Sequence, residues 1–137
     1  ILIEKNDIKK MVRSLRTGTP VWYAPDQAYR EKHSAVIPFF TIPAMTNIAT
    51  TTLAKLGKAV AIPYFTRRLP TGTYRLDLLQ PIQGLPSDNP VADTKKYLAI
   101  LEKHIRKCPE QYYWVHRRFK ELPDPIGDVY ADLDSLK

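Results

Sequence analysis

The order of its hydrophobic periods constrains this chain more than any other feature. Helical stripes alternate with short apolar runs that end at proline, glycine or a pair of charges. Residues 3–17 read as a helix: Asn6 and Asp7 cap its start, Ile8, Met11, Val12 and Leu15 share a face, and Gly18 stops it. Lys5, Lys9, Lys10, Arg13 and Arg16 cover the rest, and the narrow apolar stripe favours a helix packed on a sheet over one lying on a membrane. Residues 21–24 (VWYA) follow as a short buried strand. Residues 28–45 are expected as a long connection, charged at first, then apolar and bracketed by prolines. Thr46 is the expected N-cap of a helix running to Leu56 and closed by Gly57. Residues 59–66 (AVAIPYFT) read as a second buried strand, Pro70-Thr71-Gly72 as a turn, and residues 74–78 as an alternating edge strand, which together make a hairpin. Asp93 caps a last helix to Lys107 with Tyr97, Leu98, Leu101 and Ile105 as its inward stripe. This order implies an α/β sandwich, a mixed sheet flanked by helices.

With 137 residues the chain is expected to be a single domain, long enough for a real core, with residues 122–137 as a peripheral tail. Its formal charge of +7 points to polyanionic partners: nucleic acid, an anionic membrane surface, a phosphorylated substrate or an acidic carrier protein. Cys108 is the single cysteine, which excludes an internal disulfide and a cysteine metal cluster. No run approaches the ~18 apolar residues of a membrane span, and no signal peptide opens the chain. It starts at Ile1 rather than Met, which fits a piece of a longer protein with further segments upstream.

Few constellations carry chemistry. His33, His104 and His116 lie far apart in the sequence, so no metal is expected. There is no G-x-S-x-G elbow and no glycine-rich phosphate loop, and no cofactor is expected. His116 and Glu121 stand in H-x-x-x-x-E spacing, but the cations between them lower the basicity a general base needs. Asp26-Gln27 directly follow the first apolar run, where open α/β sheets build their crevices; a turn-forming aspartate is the alternative. Phe39 and Phe40 either line a hydrophobic groove or plug the core. A helix N-terminus at Thr46 would hold an anion on its free amides. The most distinctive stretch is residues 109–120, PEQYYWVHRRFK, where Tyr112, Tyr113 and Trp114 run into His116, Arg117, Arg118, Phe119 and Lys120. Arginine forks match phosphate and carboxylate oxygens in pairs, and rings beside cations suit a wet–apolar boundary. The alternative is aromatic core residues with solvated or ion-paired arginines.

VWYAPDQ at 21–27, IPFF at 37–40, the threonine-rich stretch at 44–52, IPYFTRR at 62–68 and PEQYYWVHRRFK at 109–120 occur together in one order and spacing. They closely resemble the C-terminal half of the bacterial lipid A biosynthesis acyltransferases, from about residue 12 to residue 130. The resemblance implies a glycerolipid acyltransferase-like α/β sandwich. It implies an enzyme at the cytoplasmic face of the bacterial inner membrane that moves a fatty acyl group from acyl carrier protein to a lipid A precursor, in lipopolysaccharide biosynthesis. The family's catalytic H-x-x-x-x-D/E dyad belongs to the N-terminal half, so this chain alone is expected to be inactive. The substrate-binding residues then implied are Gln27, Phe39, Phe40, Thr46, Arg67, Arg68, His116, Arg117, Arg118 and Lys120, with Asp26 in a supporting role. Members often carry FFG where this chain has Phe40-Thr41, and a glycine near Arg30, departures that bear on groove shape and acyl length. The rival expectation is a non-catalytic basic module on anionic lipid or nucleic acid, although no recognised nucleic-acid motif is present.

Overall fold

The computed structural model describes residues 2–4, 6–30 and 32–134. Lys5, Glu31 and the end of the expected tail (135–137) lie outside the described residues. Helix α1, Ile8–Arg16, begins at an Asp7 cap whose carboxylate accepts the Lys10 N–H at 2.9 Å. Arg13 and Arg16 in its last turn complement the helix dipole. Ile3, Glu4 and Asn6, placed in this stretch from the sequence, precede that cap, because the apolar face starts only at Ile8.

Residues 21–24 do not form a strand. Pro20 and Pro25 bracket them without N–H donors, and Trp22 is 75% exposed. Ladder contact starts later, at an isolated bridge between Ala28 and Thr46, with Tyr29 N donating to Met45 O at 3.4 Å. The expected long connection over 28–45 holds a hairpin instead: β1, Ser34–Phe39, pairs antiparallel with β2, Ile42–Asn47. Two residues join them, Phe40 and Thr41, both in the left-handed region at φ 49° and 70°. That backbone suits a two-residue hairpin turn, although glycine and asparagine are its usual occupants. The Phe40 N–H is anchored on Glu102 Oε1 at 2.9 Å.

Thr46 therefore lies in β2, not at a helix N-cap. Helix α2, Ala49–Gly57, starts after Ile48, and Asn47 Oδ1 accepts the Ala49 N–H at 2.7 Å. At its other end Gly57 meets α1: a Cβ there would stand 2.7 Å from Leu15 Cβ. Arg16 Nε also donates to Leu56 O across this contact.

The second hairpin lies where expected, but its first strand is shorter and is not the buried strand expected: Tyr64, Thr66 and Arg68 are exposed, and Phe65 and Arg67 are half-buried. Strand β3 is Tyr64–Arg68 and pairs antiparallel with β4, Tyr74–Leu78, around the 70–72 turn. Residues 59–63 approach it outside the strand. Helix α3, Pro90–Ile105, is capped by Asn89, whose side chain accepts the Ala92 N–H at 3.0 Å, and not by Asp93. Asp93 is buried one turn in, where it accepts from Thr51 Oγ1 (3.0 Å) and Ser87 N (2.7 Å), tying α2 and the preceding loop to α3.

The α/β class stands. Among the described residues the sheet is two separate antiparallel hairpins with flanking helices, where a mixed sheet was expected. The core joins the first hairpin to α3: Ile37, Phe39, Ala44, Leu98 and Ile105 are buried, and Tyr97, Leu101, Tyr112 and Phe119 pack against them.

Candidate site around the 109–120 strap

After α3 a 3-10 turn, Pro109–Gln111, redirects the chain, and residues 112–120 run on as turns without regular ladder bonds. Such a segment holds its shape through side chains. Its first anchor is Gln111. The side-chain amide accepts from Arg68 N at 2.8 Å and donates to Arg68 O at 3.0 Å, so it copies one rung of a strand on the free edge of β3. The Trp114 indole closes the turn on Pro109 O at 2.7 Å and stands edge-on to Tyr112, ring centroids 4.7 Å apart.

The second anchor is on the first hairpin. Arg118 is 1% exposed. Its Nη1 donates to Met45 O at 2.8 Å, its Nη2 to Thr46 Oγ1 at 2.7 Å, and its guanidinium lies 5.1 Å from the Phe39 ring centroid. Burial lowers its pKa from the usual arginine range, while Tyr112, Tyr97 and Asp26 act in the opposite sense. An arginine stays protonated through such a shift. The third anchor is His116, whose Nε2 accepts the Ala28 N–H at 3.0 Å, which places the proton of the neutral ring on Nδ1. Its pKa is depressed by burial and then by Lys120 and Arg118. Tyr112 Oη reaches Asp26 O at 3.4 Å, and burial with the nearby Asp26 charge raises the phenol pKa well above its usual value. Burial likewise pushes Tyr97 up to about 12, and its hydroxyl donates to Asn47 O at 2.9 Å.

These bonds gather Asp26, Phe39, Thr46, His116 and Arg118 at one end of the strap. Asp26 is half-buried beside it, and Gln27 is exposed on the same loop. Phe39 is enclosed in the core, and Phe40 contacts it edge-on at 4.8 Å. Thr46, fully buried, is bonded to Ala44 O and Arg118. Arg67 and Arg68 stand at the other end, on β3. Arg117 and Lys120 share a cleft of about 270 Å³ with Glu121, Asp124, Asp128 and Tyr130. There two cations face three carboxylates, Lys120 lies 3.4 Å from Glu121, and the Arg117 guanidinium sits 5.3 Å from the Tyr130 ring centroid. The tail is tied back at this point, since Tyr130 Oη accepts the Phe119 N–H at 3.1 Å.

Sequence reasoning missed Gln111, whose role as a strand surrogate depends on a fold contact 43 residues away. It also missed Arg106, whose guanidinium lies 4.8 Å from the Phe40 ring centroid, and His104, stacked on Phe65 at 3.9 Å. His104 has its pKa lowered by burial, then by Lys107. Arg106 is the C-cap of α3, where a cation is ordinary and carries no signal by itself.

The sequence model of the family described as bacterial lipid A biosynthesis acyltransferase matches residues 1–121. The lipid A biosynthesis lauroyltransferase of Escherichia coli (strain K12) is 36% identical over 131 residues, covering 94% of this chain and 43% of that protein. The palmitoleoyltransferase of the same organism is 39% identical over 135 residues, 94% of this chain and 42% of that protein. A lipid A biosynthesis acyltransferase of Haemophilus influenzae (strain ATCC 51907 / DSM 11121 / KW20 / Rd) is 31% identical over 129 residues, 90% of this chain and 40% of that protein. The chain thus spans less than half the length of these relatives. No helix among the described residues is long and apolar enough to cross a membrane. By its match over residues 1–121, this chain belongs to the bacterial lipid A biosynthesis acyltransferase family.

Proposed function

We propose that this chain is the substrate-holding portion of an acyltransferase that moves a fatty acyl group from acyl carrier protein to a lipid A precursor. The family match over residues 1–121 carries this reading. The reaction runs at the cytoplasmic face of the bacterial inner membrane. A histidine of the H-x-x-x-x-D/E pair, supplied by the part of the family's length this chain does not span, takes the proton of the acceptor hydroxyl. The oxygen then attacks the thioester carbonyl, the carbon–sulfur bond breaks, and the carrier's thiol leaves.

Within that reaction Arg67 and Arg68 meet the phosphates of the acceptor or the acidic carrier. Arg117 and Lys120 contribute once substrate phosphate competes with the carboxylates of their cleft. Gln27, exposed on its loop, offers an amide to a substrate hydroxyl or phosphate. Phe40, half-buried between Phe39 and Trp114, offers an apolar wall to an acyl chain. Asp26, His116, Arg118, Thr46 and Phe39 hold the loop, the strap and the hairpin in register for those contacts.

Labelled acyl carrier protein and a lipid A precursor test the reading. The chain alone gives no acylated lipid; joined to the missing family portion it does, and Arg68→Ala then raises the acceptor KM. No product in either form refutes the enzyme reading. Salt-labile retention of nucleic acid or anionic vesicles without transfer would favour a basic binding module.

A further inference from the structure

The second hairpin has one face served and one face bare. Phe65 stacks on His104 of α3. On the opposite face Tyr64, Thr66 and Arg68 of β3 stand across from Leu78, Leu76 and Tyr74 of β4. Tyr74, Leu76 and Leu78 are 73%, 55% and 67% exposed, and Val60 and Ile62, in the approach to β3, are exposed as well. Contiguous apolar surface of this kind is uncommon on a protein that works alone.

The backbone adds an independent constraint. Leu69 N bonds to Thr73 O at one end of the hairpin, and Leu79 N to Pro63 O at the other. The alternation of an antiparallel ladder then turns the backbone groups of residues 64, 66 and 68, and of 74, 76 and 78, away from the partner strand. On β3 the Gln111 amide fills that edge at Arg68. On β4 no further strand is paired among the described residues. An open edge beside an apolar face calls for another strand. Lipid can cover the side chains but leaves the backbone groups unsatisfied, whereas an added polypeptide strand covers both.

We propose that the β4 edge and the Tyr64–Tyr74–Leu76–Leu78 face form the seam on which the remainder of the family's length docks, adding a strand to Tyr74–Leu78. The occupant follows from proportion: the relatives are more than twice as long as the stretch this chain matches. In a helix-flanked sheet both faces are covered, and this face has no cover among the described residues. The inference rests on the acyltransferase reading for the identity of the occupant, not for the need of one.

The test is a chimera in which the unmatched part of the E. coli lauroyltransferase is joined to this chain, compared with the chain alone by amide hydrogen exchange. The amides of Tyr74, Leu76 and Leu78 gain at least 100-fold protection in the chimera, while those of Leu98 and Ile105 in α3 change little. The pair Leu76→Ser and Leu78→Ser leaves the urea midpoint of the chain alone unchanged and lowers that of the chimera. Equal exchange at the three amides in both proteins overturns the proposal. So does equal protection of the chain alone by phosphatidylglycerol–phosphatidylcholine vesicles, or by its own dimerisation at high concentration. If α3 protection is lost in the chimera, the separate lauroyltransferase fragment is added to the intact chain. A one-to-one complex with the same three amides protected is then required, and its absence overturns the seam. Acyl transfer is read in the same samples. Transfer without edge protection defeats the seam alone, and edge protection without transfer defeats the enzyme reading alone.

Discussion

Replacing Arg118 by methionine keeps much of the side chain's apolar length and removes its charge and its fork of donors. Two bonds disappear, Nη1 to Met45 O (2.8 Å) and Nη2 to Thr46 Oγ1 (2.7 Å). Bonds from a charged donor contribute about 1.5–3 kcal/mol each, so the pair represents about 3–6 kcal/mol. Contact of the guanidinium with the Phe39 ring adds about 1–2 kcal/mol in a desolvated site. Against this stands the cost of holding an unpaired guanidinium out of water, several kcal/mol, since no carboxylate among the described residues forms an ion pair with it. The two groups left behind keep one bond each: Met45 O still accepts the Tyr29 N–H, and the Thr46 hydroxyl still donates to Ala44 O. The net loss is about 2–4 kcal/mol. With a urea slope of about 1.5 kcal/mol/M, the unfolding midpoint falls by roughly 1.5–2.5 M. Arg118→Lys, with one compact donor instead of a fork, loses about half as much. Arg68→Ala, whose bonds to Gln111 are made by backbone, shifts the midpoint by less than about 0.3 M. An unchanged or higher midpoint for Arg118→Met, with the slope preserved, would refute the assignment of Arg118 as the fastener of the strap.

Gly57→Ala brings a methyl against Leu15 at sub-contact distance and costs about 1–3 kcal/mol in thermal unfolding, despite the better helix propensity of alanine. Thr41→Gly relieves a left-handed backbone at φ 70° and raises stability by about 0.5–1 kcal/mol, read as a higher urea midpoint. Gln111→Ala frees both Arg68 backbone groups, lowers stability by about 1–2 kcal/mol and speeds exchange of the Arg68 amide. His116 accepts the Ala28 N–H only when neutral, and its depressed folded pKa means that the unfolded chain takes up its proton first as pH falls. Stability present above about pH 6.5 is therefore lost as pH drops from there towards the folded value. In His116→Gln this part of the pH dependence vanishes, and a wild-type imidazole titrating above 6.5 by NMR would contradict the assignment.

Segments whose shape is set by their own residues were readable in the sequence. The α3 stripe of Leu98, Leu101 and Ile105 faces the core as its period requires, and Gly72 at φ 84° turns the second hairpin where proline and glycine announce it. The first hairpin was hidden because its turn is made by Phe40 and Thr41, a phenylalanine and a β-branched residue in a backbone that glycine prefers. Thr41, where the resemblance leads one to expect a glycine, is a residue with positive φ. Thr46 was misplaced for a related reason: a hydroxyl that resembles a cap is also an acceptor for an arginine 72 residues away. The strap stood out in the sequence by its composition, aromatic rings running into cations. Which of its cations turns inward was not legible, because Arg117 and Arg118 are adjacent and only the third dimension separates them.

The buried guanidinium also sets a timetable. Met45 and Arg118 are 73 residues apart, and His116 reaches Ala28 across 88. At translation rates of about 5–20 residues per second, the first hairpin exists for ~4–15 s before the residue that fastens it has been made. Through all of that interval Phe39 and Ile37 lack their strap, and until Ile105 is made they also lack a complete α3, so the nascent hairpin stays an unfinished element. The chain closes on its earliest hairpin last, and synthesis of the strap, not formation of the hairpin, times its completion.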